Sequence, residues 1–338
     1  MKQPDYNQLL KVLRRQVPDR PVLFEFFMYQ DLYDELGHDA PQENDGYDEF
    51  RRQVYAFKNA GYDYVPTQAS DFNFPTVQNN RGNDHTHSLN ENATITDWDS
   101  FHAYQWHNPD DFDQHWLDKA QEIIHADPNL TGLGVIAWGP CGVLENVIAL
   151  VGYDNLCLLL YDDPALVEAI FEAVGSRFVR YYERAAAHPA VVALISNDDW
   201  GFKSQTLLSP ADMRQYLFPW HAKIVEACGN KPVILHSCGQ LKEVMDDIIT
   251  MGYAAKHSYE DVIQPVEEAY DEYKERITVL GGFDVDYMCR AAPADIETRA
   301  RAMLERAAND GGYALGTGNS ITDFIPRKSF DALRRAAQ

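Results

Sequence analysis

Short apolar runs recur along the chain, separated by segments in which apolar positions keep helical spacing. Eight runs of seven or eight residues are rich in Val, Ile and Leu, which is typical of strands buried on both faces of a parallel sheet. They cover residues 21–27, 62–68, 132–139, 191–198, 232–239, 254–261, 277–284 and 312–319. This alternation predicts an α/β fold, a (β/α)8 barrel of the TIM type, with an open doubly wound sheet as the alternative.

Two of the intervening helices carry clear start signals. Asp163 precedes Pro164, and Ser209 precedes Pro210. A capping residue followed by proline is a common order at a helix N-terminus, because the missing N–H of proline costs nothing there. Pro219 predicts a kink within the second of these helices.

One long segment interrupts the alternation. Residues 69–106, after the second predicted strand, are polar and irregular, and we expect them to form a lid over the barrel mouth. His85 and His87 lie in this segment, where exposed loop histidines without a ligand role are the commoner case. Residues 1–20 predict an N-terminal helix, and with no linker-like segment present we expect one domain over residues 1–338.

Composition narrows the classes of function. A net charge of −23 argues against nucleic-acid binding, which depends on clustered Lys and Arg. The most apolar stretch, "GVIAWGPCGVLENVIALVG", is interrupted by Pro140, Glu145 and Asn146, so no membrane span is expected. The five cysteines are an odd number and widely spread, which predicts free thiols and, with no signal-peptide pattern at the N-terminus, a cytoplasmic protein.

The run "VILHSCG" ends with His236 and Cys238 two positions apart. Side chains at i and i+2 of an extended chain point to the same side, so the imidazole and the thiol should project together. Three interpretations are open: a zinc site, a Cys–His nucleophile, or two buried core residues. Thiolate and neutral imidazole are ligands that zinc prefers, and the position at a strand end favours the metal.

Other polar residues follow the predicted strands at the same end. In barrels of this kind the chemistry lies at the carboxyl ends of the strands. Helix capping explains some of the Asp and Asn residues there, but it does not explain His236 with Cys238. The candidates at this end, in chain order, include Glu25, Asp71, Cys141, Glu145, Asp198, Asp199, His236, Cys238, His257, Glu260, Asp284, Asp286 and Asn319.

Several stretches together resemble the uroporphyrinogen decarboxylase superfamily. They include "RPVLFEF", "WGPCGVLENV", "LYDDPALVEAIFEAVG", "KPVILHSCG", "LGGFDVD" and "GGYALGTGNSI", and the resemblance covers nearly the whole chain. It implies a (β/α)8 barrel with its site at the carboxyl ends of the strands. The superfamily contains decarboxylases and zinc-dependent methyltransferases, which move methyl groups between corrinoid proteins and thiols such as coenzyme M.

The methyltransferase branch carries H-x-C on the fifth strand and a distant Cys near the eighth. His236 and Cys238 match the first part, whereas Asn319 stands where the distant Cys is expected. A neutral amide is a poor zinc ligand, so two alternatives are open: a carboxylate such as Glu260 completes the site, or the metal is bound more weakly or not at all.

The decarboxylase branch matches less well. Its substrate carries eight carboxylates, which the family binds through arginines in an amino-terminal stretch. Here only Arg20 remains, and between Arg20 and Arg51 there are nine Asp or Glu residues and no Lys or Arg. Such a segment would repel a polyanion.

The sequence therefore predicts a cytoplasmic, zinc-dependent methyltransferase that uses a corrinoid or methylated small molecule and a thiol. A porphyrinogen decarboxylase and a non-catalytic partner of a corrinoid protein are the alternatives, and a homodimer is compatible with each. The expected metal ligands are His236, Cys238 and Glu260. The expected catalytic residues are Asp199 and Glu25, and the expected substrate-binding residues are Glu145, Asn319 and Asp71.

Overall fold

The structure, a computed structural model, describes residues 3–76 and 93–338. Its centre is a curled sheet of seven strands that follow one another in chain order, each parallel to the next. In an all-parallel sheet every strand ends at the same edge, so the residues that follow the strands are brought together. The strands are β1 Tyr64–Gln68, β2 Gly134–Trp138, β3 Val191–Asn197, β4 Val233–His236, β5 Ala255–His257, β6 Thr278–Leu280 and β7 Tyr313–Ala314.

In the described residues, seven strands and not eight are hydrogen-bonded side by side in the sheet. The predicted eight-stranded barrel is therefore not confirmed. The first predicted strand, residues 21–27, contributes the parallel bridge Leu23 to Leu315 and lies beside β7. Toward β1, the backbone N–H and C=O of Glu25 bond to the hydroxyl of Tyr64, at 2.7 and 2.6 Å. A side chain of β1 thus takes the backbone N–H and C=O of Glu25 that a neighbouring strand would have used.

Helices connect the strands and cover the sheet. Several lesser turns accompany them: 3-10 turns at Pro109–Asp111, Pro128–Leu130 and Lys242–Val244, and a π turn at Met213–Leu217. The helices of the described residues are α1 Tyr6–Leu13, α2 Gln30–Leu36, α3 Asp48–Ala60, α4 Trp98–Ala103, α5 His115–Ala126, α6 Val143–Val151, α7 Tyr153–Asp162, α8 Pro164–Ala187, α9 Pro210–Asp212, α10 Phe218–Ala227, α11 Met245–Thr250, α12 Val266–Tyr273, α13 Val285–Arg290, α14 Pro293–Ala307 and α15 Arg327–Ala336.

The helix start signals are used as expected. Asp163 accepts a hydrogen bond from the amide of Leu166 at the start of α8, and Ser209 caps α9 in the same manner. The expected kink before Pro219 takes the form of the π turn Met213–Leu217, which shifts the hydrogen-bonding pattern by one residue and frees the position where proline has no N–H to donate.

Part of the segment predicted as a lid, residues 69–106, is packed against the core. Phe72, Phe74 and Ile95 are buried, and α4 begins within this segment. His85 and His87 lie outside the described residues. In the described part of the chain, no single helix has the length and apolarity needed to cross a membrane; only α6 and α7 taken together, bent by 90°, pass that test.

Candidate functional site

The ends of β3 and β4 bring three potential metal ligands together. A ligand nitrogen of His236, the Sγ of Cys238 and a carboxylate oxygen of Asp199 all lie within 4.8 Å of one another. His236 is the last residue of β4, where it pairs with Asn197 of β3, so Cys238 and Asp199 both follow directly in the turns. The amide of Cys238 donates to Oδ1 of Asp199 at 2.9 Å, which fixes one turn against the other.

These two turns approach each other closely through glycine. A Cβ on Gly201 would lie 2.8 Å from the carbonyl oxygen of Cys238, and Gly239 has φ +86°, a region that favours glycine. The "SCG" and "DWG" stretches therefore serve the same purpose, because each glycine lets the turn that carries a ligand pack against the other turn.

The hydrogen bonds of His236 leave one of its ring nitrogens free. Nδ1 of His236 is 2.8 Å from Nδ1 of His257, and Nε2 of His257 is 3.1 Å from the carbonyl oxygen of Thr317. A carbonyl only accepts, so His257 carries its proton on Nε2 and accepts from His236 through Nδ1. Burial keeps the pKa of His257 well below its usual value, so the ring is neutral. Nε2 of His236 is then unprotonated, which is the form that binds a metal.

Cys238 lies among hydrogen-bond donors. The side-chain amide of Asn319 donates to its Sγ at 3.1 Å, and the hydroxyl of Ser258 donates at 3.5 Å. Donors favour the thiolate, but burial, followed by the charge of Asp199, raises the pKa of the Cys238 thiol to about 12. A bound cation would reverse this balance, since metal-coordinating thiols are deprotonated.

The three donors fit zinc. Sulfur, imidazole nitrogen and carboxylate oxygen form a known zinc donor set, and three protein ligands leave a position for substrate. The carboxylate in the described group is that of Asp199, not that of Glu260, which was the expected third ligand. Asn319, which stands where the resemblance led us to expect a distant Cys, contacts the sulfur of Cys238 as a hydrogen-bond donor.

Glu25, expected to be catalytic, is completely buried behind this group. Its two carboxyl oxygens bond to the backbone N–H and the hydroxyl of Thr317, at 2.6 and 2.7 Å. Burial raises the pKa of Glu25 to about 8, an effect that the two bonds from Thr317 only partly oppose. Because Thr317 also accepts from His257, a continuous series of hydrogen bonds runs from Glu25 through Thr317 and His257 to His236.

Glu145 and Asp71, both expected to bind substrate, have different surroundings. Burial, followed by the charges of Asp198 and Asp199, raises the pKa of Glu145 to about 8. Glu145 therefore lies in the same acidic region as the candidate ligand Asp199. Asp71 is exposed and bonds to His115 and Trp116 of α5, at 3.0 and 2.8 Å, so the structure does not bring Asp71 into the group around Cys238.

Sequence reasoning placed His257 of β5 at the strand end without giving it a role, and it missed Lys256 of the same strand. His257 orients His236, and Lys256 is a buried lysine whose pKa burial lowers to about 8, opposed by the nearby Cys238 and Glu260. Lys256 Nζ donates to the carbonyl of Ser258 and lies 4.2 Å from the ring centre of Tyr259. The signal was present in the sequence, because a lysine inside an otherwise apolar strand is rarely buried without a partner.

A cavity of about 790 Å³ opens beside Cys238 and Asn319. Its lining includes Tyr259, Glu260 and Phe324. This volume lies within the range of small-molecule sites. The candidate ligand Cys238 therefore borders a space large enough for a substrate.

Comparison with known proteins agrees with this architecture. The uroporphyrinogen decarboxylase (URO-D) family model matches residues 91–338. Uroporphyrinogen decarboxylase of Anaeromyxobacter sp. (strain Fw109-5) is 25% identical over 189 residues, and that of Syntrophotalea carbinolica (strain DSM 2380 / NBRC 103641 / GraBd1) is 24% identical over 168 residues. These matches cover 54% and 50% of this chain and 50% and 47% of the relatives, so the chain spans about half the length of the curated relatives it matches.

A solved structure of a methyltransferase from Methanosarcina mazei has the same fold. The TM-score is 0.70, with 99% of this chain and 98% of that chain covered. The sequence identity is 16%, so this likeness describes the fold alone. The family-model match extends over most of the chain and confirms the resemblance found in the sequence: this chain belongs to the uroporphyrinogen decarboxylase family.

Proposed function

We propose that this chain is a zinc-dependent methyltransferase that passes a methyl group from a corrinoid, free or bound to a partner protein, to a small thiol. The observation that carries the proposal is the convergence of His236, Cys238 and Asp199 at the edge of a cavity. Zinc bound there would hold the sulfur of the substrate as a thiolate at neutral pH.

The surrounding residues have distinct tasks in this proposal. His257 holds the ring of His236 so that Nε2 faces the metal as an acceptor. The side-chain amide of Asn319 donates to the sulfur of Cys238 and would lower the negative charge that this sulfur presents to a bound zinc, so that the metal would attract the substrate sulfur more strongly. The cavity beside Cys238 admits the thiol.

The transfer balances as a nucleophilic displacement. The thiol proton is released as its sulfur is bound, and the sulfur lone pair then forms a bond to the methyl carbon. The cobalt–carbon bond breaks with its electron pair left on cobalt. A methylcobalt(III) corrinoid and a thiolate thus give a cobalt(I) corrinoid and a thioether.

Porphyrinogen decarboxylation is the second candidate, since the curated relatives carry that name. The position of Arg20 argues against decarboxylation. Arg20 is the cation retained from the family's amino-terminal stretch, and it forms a two-pronged ion pair with Asp63, just before β1 begins. The ion pair lies at the amino end of β1, whereas Cys238 follows the carboxyl end of the parallel strand β4. Arg20 therefore cannot bind a carboxylate of a substrate in the cavity.

Metal analysis combined with a methyl-transfer assay tests the proposal. We expect about one zinc per chain in the wild-type protein, as for a single structural or catalytic site, and loss of zinc in Cys238→Ser. Zinc-loaded protein should change the absorbance of methylcobalamin when a thiol is added, and should leave uroporphyrinogen unchanged. Zinc-free protein that decarboxylates uroporphyrinogen would contradict the proposal. Protein that binds a corrinoid protein without either activity would indicate a non-catalytic partner.

A further inference from the structure

The cavity beside Cys238 has an acidic wall. Among residues 3–76 and 93–338, three carboxylates line it, those of Glu260, Asp284 and Asp286, against one cation, Arg290. Arg290 forms an ion pair with Asp286, so these two charges largely cancel. What remains on the wall is the negative charge of Glu260 and Asp284.

The two remaining carboxylates are not equally available. Asp284 accepts hydrogen bonds from the backbone amides of Asp261, Asp286 and Tyr287, at 3.0, 2.8 and 3.1 Å, and these bonds occupy both of its oxygens. The side chain of Glu260, in contrast, has no hydrogen bond and no ion pair within the described ranges. Glu260 is thus a carboxylate free to bind a ligand in the cavity.

The buried Lys256 does not fill this role. Lys256 influences Glu260 electrostatically, but its Nζ donates to the carbonyl of Ser258 and packs over the ring of Tyr259. Lys256 also does not line the cavity of about 790 Å³. Tyr259 does line it, and its buried hydroxyl has no hydrogen-bond partner among residues 3–76 and 93–338. The unpaired carboxylate of Glu260 is therefore the acceptor that this wall offers to a ligand that carries N–H donors.

We propose that the thiol acceptor is an aminothiol, a small thiol that carries a positively charged ammonium group. Its sulfur lies at the end of the cavity formed by Cys238 and Asn319, and its ammonium group is held by Glu260. This inference rests on the proposed function and adds the charge of the substrate. An anionic thiol of the same length would place its charge against Glu260 and Asp284, with no free cation on the wall to receive it.

Three thiols of equal chain length test which charge the site prefers in its substrate. Cysteamine is cationic, 2-mercaptoethanol is neutral and 2-mercaptoethanesulfonate is anionic. Their affinities for the zinc-loaded protein are measured by calorimetry, in the wild type and in Glu260→Gln. We expect cysteamine to bind about fivefold more tightly than the sulfonate, the difference that one partly exposed charge pair supports. Glu260→Gln should weaken the binding of cysteamine and leave the affinity for 2-mercaptoethanol unchanged. Comparing each thiol between the two proteins cancels the differences in thiol acidity.

The outcomes separate this inference from the proposed function. If all three thiols bind equally, if the sulfonate binds best, or if Glu260→Gln leaves cysteamine unaffected, the aminothiol inference is wrong while the zinc–thiol function stands. If Glu260→Gln loses its zinc, Glu260 is a metal ligand and the inference is also wrong. If the wild type holds no zinc, or holds zinc and binds none of the thiols, the proposed function fails and the inference falls with it.

Discussion

The buried carboxyl of Glu25 makes the stability of the protein depend on pH in a specific way. The perturbation that exposes this dependence is Glu25→Gln. Glutamine has nearly the shape of a protonated glutamate, and it can still accept from the Thr317 amide and donate to the Thr317 hydroxyl. The substitution therefore removes the titration while it keeps both contacts.

The size of the effect follows from the raised pKa. Burial moves the pKa of Glu25 from 4.5 to about 8 in the folded protein, whereas in the unfolded chain it keeps its ordinary value. A group with a raised pKa contributes its full stability below the unfolded pKa, and that stability is lost as the pH rises through the folded pKa. Between pH 5 and pH 8 the loss accumulates to about 3 kcal/mol. That is a large part of the roughly 5–15 kcal/mol by which proteins are stable.

Urea unfolding at pH 5, 6, 7, 8 and 9, followed by the fluorescence of the six tryptophans, measures this loss of stability. The unfolding free energy of wild type minus that of Glu25→Gln should fall by about 3 kcal/mol from pH 5 to pH 8 and then level off. The exposed Glu226 offers a matched control, and Glu226→Gln is measured over the same pH range. A change for Glu25→Gln below about 1 kcal/mol would refute the reasoning, since the carboxyl would then be as well solvated in the fold as in water.

Three further substitutions test the candidate metal site and the ion pair between Arg20 and Asp63 at the amino end of β1. His257→Phe removes the acceptor of the His236 Nδ1 proton and should weaken zinc binding about 10- to 100-fold in a chelator competition; unchanged affinity would show that His257 does not orient its neighbour. Asn319→Cys adds a sulfur ligand and should tighten zinc at least about tenfold in the same competition, and weaker binding would contradict the proposed position of the metal. Asp63→Asn leaves Arg20 without its buried partner and should cost about 2 kcal/mol in urea unfolding; no loss would mean that water replaces the pair.

Family and overall architecture could be read from the sequence because they rest on repeated patterns. Apolar runs of strand length, each followed by a helix, indicate parallel strands whatever the details. The first run, residues 21–27, shows where the pattern stops being sufficient. It is as apolar as the others, but the Tyr64 hydroxyl takes the backbone groups of Glu25, and no periodicity reports a side chain that competes for backbone hydrogen bonds.

The candidate site was predictable only where it depended on local geometry. His236 and Cys238 are two positions apart on one strand, so their common direction follows from the backbone alone. The choice between Asp199 and Glu260 as the third ligand depends on how the turns after β3 and β5 approach β4, and the sequence does not contain those distances. The role of His257 needs the position of Thr317 as well, 60 residues further along the chain.

The bond between Glu25 and Thr317 also has a consequence for the order in which the protein assembles. These residues are 292 positions apart, so the two ends of the chain must both be in place before the bond can form. Contacts between such distant residues are slow to form, because a long loop has to close first. Thr317 accepts from His257, which orients His236, so a nascent chain that has not yet reached Thr317 lacks this support of the imidazole. If the site binds zinc as proposed, its full affinity for the metal would be reached at the end of folding, not at its beginning.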